Sequence, residues 1–130
     1  MSLVQKISKL ATAVGTEIKS RITAFNPGVA KAWVCFGYVG GQIVVRDGYN
    51  VQSVSRQATG KYRVQFARSM PDAKYAWHAF ARQGSGQTAP QFAAARSTAE
   101  AKTSDYLEVI CVTASCTLVD TAEMNLVVMR

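Results

Sequence analysis

The chain contains no long apolar run, few cysteines, little proline and a shortage of acid. Nothing approaches 18 uninterrupted apolar residues, which excludes a membrane-spanning helix and membrane insertion by one. The opening stretch, MSLVQKISKLATAVGTEIKS, scatters lysines among its apolar residues and lacks the continuous hydrophobic segment of a secretory leader. Export by that route is not expected.

The three cysteines, Cys35, Cys111 and Cys116, are odd in number and do not form a disulfide framework. With His78 as the single histidine, they cannot supply the paired spacings of a four-ligand zinc site. They read as small buried hydrophobes, with no metal and no cofactor. Eight acidic residues stand against fifteen basic ones, a net charge of +7, and the acids form no recognisable pair for glycoside hydrolysis. Neither a nucleophile elbow, a phosphate-binding loop nor a dinucleotide fingerprint occurs. His78 sits inside the strand-like run YAWHAF, where a structural role is expected. The chain therefore reads as non-enzymatic. A dense basic run or an aromatic RNA-binding motif is also missing, so nucleic acid is not an expected partner.

What remains is a globular composition, 48% apolar and 18% charged over 130 residues, enough for one domain with an appendage. The appendage comes first. Leu3, Ile7, Leu10, Val14, Ile18 and Ile22 recur at steps of three and four, the stripe of an amphipathic helix over residues 2–25. Ser2 and Gln5 have capping-box spacing, and Asn26-Pro27-Gly28 stops the helix. Residues 1–27 form this oligomerisation and docking helix and residues 28–130 a β-sandwich domain. Ile7 and Val14 at one seam position, with Leu3 and Leu10 at the other, favour a parallel dimeric coiled coil. About three heptads cannot hold an oligomer alone, so the β domain must contribute.

From residue 29 the pattern is β. Strands are expected over 30–39, 43–46, 51–56, 61–68, 74–82, 91–96, 106–113, 116–120 and 124–129, with turns at Gly40-Gly41, Asp47-Gly48 and 57–60. About eight short antiparallel strands without room for crossover helices make a mainly β sandwich preceded by one N-terminal α-helix. Tyr62, Val64 and Phe66 alternate with Lys61, Arg63 and Gln65, giving that strand one buried and one wet face. Most aromatics, Tyr75 and Trp77 included, are expected in the core.

Two surfaces are candidates for recognition. The loop 83–90 offers Gln83, Ser85, Gln87 and Thr88, whose amides and hydroxyls suit sugar hydroxyls. The basic hairpin around Arg56, Lys61 and Arg63 is the alternative, suited to phosphate or an acidic polysaccharide.

Several of these residues also carry a family likeness. Ala32-Trp33-Val34 with Phe36, Asn50-Val51 with Ser53, the return Gly60, Tyr62, Val64, Phe66, and the turn Met70-Pro71, Ala73, Tyr75 together resemble a module of bacteriophage tail-fibre proteins. The likeness covers residues 30–77, and the terminal NLVVMR (125–130) is similar to the closing strand of that module. It implies a homotrimer, a virion location after assembly in the host cytoplasm, contact with other virion proteins through the helix, and a host-surface polysaccharide as partner. The trimer is adopted over the dimer because so short a helix does not dictate the order against a folded β domain. A short tail fibre or tail-associated adhesion protein is the leading reading. A capsid spike or decoration protein with a mechanical role, and a stand-alone carbohydrate-binding module, stay open.

Overall fold

The computed structural model describes residues 2–21 and 28–130. The expected helical extension through residue 25, Ile22, and the stop at Asn26-Pro27 lie outside the described residues, as does the side chain of Ile18. Helix α1 spans Leu3–Arg21. Its capping box is reciprocal: the Gln5 amide donates to Ser2 Oγ at 3.2 Å and the Ser2 amide to Gln5 Oε1 at 3.0 Å.

Eight strands follow: β1 Ala30–Val39, β2 Gln42–Tyr49, β3 Val51–Ala58, β4 Lys61–Phe66, β5 Ala76–Arg82, β6 Gln91–Ala95, β7 Tyr106–Thr113 and β8 Glu123–Met129. They build two antiparallel sheets, β2-β1-β8-β5 and β3-β4-β7-β6, packed as a sandwich. The core is made by alternate residues. Ala32, Val34 and Phe36 with Met124, Leu126 and Val128 meet Tyr62, Val64, Phe66, Leu107, Val109 and Cys111 from the other sheet. Edge-to-face ring pairs join the layers, Phe36 to Tyr62 at 5.3 Å and Phe66 to Tyr75 at 5.7 Å between centroids.

Three local expectations are corrected. Asp47-Gly48 is not a turn: β2 runs through it, and a register shift opposite Cys35/Phe36 absorbs the extra residue. The chain instead changes sheets at Asn50, which adopts φ 54°. Its side chain donates to the Lys31 and Arg68 carbonyls and accepts from the Arg68 amide at 2.7 Å. Residues 116–120 form no strand but a segment bridged at Val112↔Leu118 and tied back by Val119 N to Cys111 O. Of the cysteines only Cys111 is buried; Cys35 is half-buried and Cys116 exposed at φ 64°.

Candidate functional site

The loop between β5 and β6 closes around a cleft of about 370 Å³ lined by Gln83, Ser85, Gln87, Pro90 and Gln91 among others. A turn with Gln87 N bonded to Gly84 O shapes it, and Gly86 takes φ 85° inside that turn. Three of the four loop residues singled out by their chemistry therefore share one cleft. Thr88 is not among its lining residues. Gln91, which the sequence reading passed over, is 9% exposed; its Nε2 donates to the Asp120 carbonyl at 3.1 Å and its Oε1 is buried without a partner. A glutamine opening the otherwise apolar run QFAAA was the available signal for it.

Asp120, one bond away, anchors the same end of the sandwich. Its carboxylate accepts from Arg56 Nε and Nη2, from the Gly60 amide and from Tyr62 Oη, at 2.8–3.0 Å. The Arg56 guanidinium, with help from Gly60 and Tyr62, holds this carboxyl down to about 2. Tyr62 Oη in turn accepts from the Thr121 amide, and burial pushes its own ionisation well above the usual tyrosine range. The network fixes the 113–122 crossing against the β3-β4 turn. The cleft thus has a rigid wall below a loop able to present amides and hydroxyls.

The basic hairpin does not present its three cations together. Arg56 is bound to Asp120 and lies over the Tyr38 ring at 4.5 Å. Arg63 stands on the opposite face of the sheet, 4.1 Å over Tyr106, and shares Glu108 with Arg96. Glu108 is 3% exposed on that outer face because the two guanidiniums cover it. Lys61 projects on the same face as Arg63 and pairs in register with Ile110.

Two apolar surfaces are uncovered. On α1, Leu3, Ile7, Leu10 and Val14 are all exposed, and so is every other described side chain of the helix. On the first sheet, the outer face carries a row in register, Tyr49↔Trp33↔Val127↔His78, with Phe80 beside Asn125 in the next row. Phe80 is 71% exposed and Trp33 36%. His78 and Phe80 make an edge-to-face pair at 5.9 Å. Most described aromatics are core as expected, with Phe36, Tyr62, Phe66 and Tyr75 buried and Tyr38 and Trp77 packed against them, but Trp33, Tyr49, Phe80 and Phe92 are exposed. Alternation within AWVCF separates Trp33 and Cys35 from Val34 and Phe36. It does not say which pair faces water, because both pairs are apolar or nearly so.

Comparison of the chain with protein-family models, curated proteins and solved structures finds no match.

Proposed function

We propose that the chain is a phage virion structural protein, a short tail fibre or tail-associated adhesion protein displayed as a homotrimer for attachment to a host surface. One observation carries the self-association: a capped 19-residue helix whose apolar residues Leu3, Ile7, Leu10 and Val14 are covered by nothing among the described residues. An exposed stripe of this length is marginal alone and is stabilised when copies bury it against one another. The likeness of residues 30–77 to tail-fibre modules supports the virion setting. The helix assembles copies and docks to other virion proteins, while the sandwich holds the 83–91 cleft outward. Weak polysaccharide contacts at each cleft become tight when several engage one surface.

Particles carrying Gln83→Ala, Gln87→Ala and Thr88→Ala together test the attachment reading. The triple variant keeps its fold and oligomeric mass, because the three side chains serve no part of the core, and adsorption to host cells is lost. Unchanged adsorption contradicts the cleft as the contact. A second reading, a stand-alone carbohydrate-binding module, is favoured by one observation, the exposed Trp33 on a sheet face. That reading requires a monomer in solution. Immunogold labelling of intact particles separates the tail reading from that of a capsid spike or decoration protein.

A further inference from the structure

We propose that the outer face of the β2-β1-β8-β5 sheet is covered by further copies of this chain, with the row Tyr49, Trp33, Val127, His78 and neighbouring Phe80 turned toward the axis set by the helices. This inference rests on the self-association proposed above and names the surface through which the sandwiches take part.

The occupant follows from tether length, place in the chain and charge. Residues 22–29 separate the end of α1 from the start of β1. At no more than about 3.6 Å per residue, that tether reaches at most about 30 Å, whatever its path. Helices packed side by side lie about 8–10 Å apart. Sandwiches joined to such helices by so short a tether face one another at effective concentrations of the order of millimolar. An uncovered apolar face on any of them then meets a second copy before any other partner.

The tether enters β1 at Ala30, and Trp33 lies on the outer face of that strand three residues later. The Trp33 end of the aromatic row is thus close to the point of attachment. Exposed apolar area concentrated in this way marks an interaction surface.

Charge favours a copy over a polyanion. The chain carries +7, yet in the strands flanking the row Arg46 and Arg82 stand against Asp47 and Glu123, with Lys31 of β1 a further, 7% exposed cation. Arg82 is paired with Glu123, and Arg46 donates to the Ala122 carbonyl at 2.8 Å. Each guanidinium thus already has a partner within its own chain. A face carrying both signs of charge sets fewer like charges against each other than a uniformly basic one.

Trp33 reports on the contact directly. In the 130-residue chain carrying Trp77→Phe, Trp33 is the only tryptophan. Its quenching by acrylamide is followed against protein concentration, together with mass by light scattering. As the mass rises to that of the oligomer, quenching is expected to fall several-fold and the emission to shift to the blue. Tyr49→Ser with Phe80→Ser, both at exposed positions, should raise the concentration for half-assembly about tenfold or more, as loss of aromatic anchors does. Phe92→Ser on the opposite sheet should leave it unchanged. An oligomer in which Trp33 stays as quenchable as in the monomer overturns the surface and leaves self-association standing. A monomer at every concentration overturns both. If dextran then protects Trp33 in that monomer, the face is a sugar platform and the inference is wrong.

Discussion

At Asp120 one carboxylate accepts four hydrogen bonds, two of them from Arg56. Its folded-state ionisation, held at about 2, lies below that of the unfolded chain, near 4. Depression of a folded pKa gives stability that is complete above the unfolded value and lost as pH falls through the folded one. Urea melts should therefore show roughly 2 kcal/mol disappearing between about pH 4 and pH 2. Asp120→Asn should be less stable at neutral pH by a similar amount, with that acid-sensitive part missing. An unchanged acid limb in the variant would contradict the assignment. Gly37 is the second sensitive residue. A Cβ there would lie 1.9 Å from the Ala122 carbonyl oxygen, and the backbone on both sides is fixed by Tyr38 N to Thr121 O. Gly37→Ala should cost more than about 3 kcal/mol, beyond the range of ordinary surface changes, as a shift in melting temperature will show. Neither residue stood out in the sequence. Asp120 had no visible partner because Arg56, Gly60 and Tyr62 are about sixty positions away, and a glycine in a β run announces only that a backbone comes close, not which one.

Among the elements, the strongly patterned ones were legible. The capping box and the 3–4 stripe gave α1, and the strict alternation in β4 put Tyr62, Val64 and Phe66 in the core. Phe66→Ala should cost about 3–5 kcal/mol, the usual range for a large-to-small core change, while Lys61→Ala on the wet face stays below about 0.5 kcal/mol. Denaturant melts that reverse this rank would place the register off by one. β2 was legible only in part. Asp47-Gly48 has a turn composition, but the sheet change depends on Asn50 gripping Lys31 and Arg68, contacts that no local window contains. The segment 116–120 has strand composition but serves as a strap over the β3-β4 turn. The candidate cleft was legible as chemistry, since Gln83, Ser85 and Gln87 line it, while Gln91 and its orphan Oε1 needed the fold. In α1, Gly15 has open space around it, so Gly15→Ala should stabilise the helix by up to about 1 kcal/mol. Stronger far-ultraviolet helical signal and tighter assembly are the expected readouts.

For the whole molecule, the sandwich buries its own core yet leaves the helix stripe and the outer aromatic row open, two faces on one short tether. Each face alone is modest. In the proposed assembly the helices set the axis and the sandwiches close around it, leaving the 83–91 clefts available for multivalent contact. The basic excess opposes close approach at low ionic strength, so raising salt toward physiological levels should lower the concentration needed for assembly. Self-association into a trimer is read out by sedimentation equilibrium of the 130-residue chain at micromolar concentration. The expected mass is three times 14.1 kDa. A mass of one or two chains at all concentrations would contradict it.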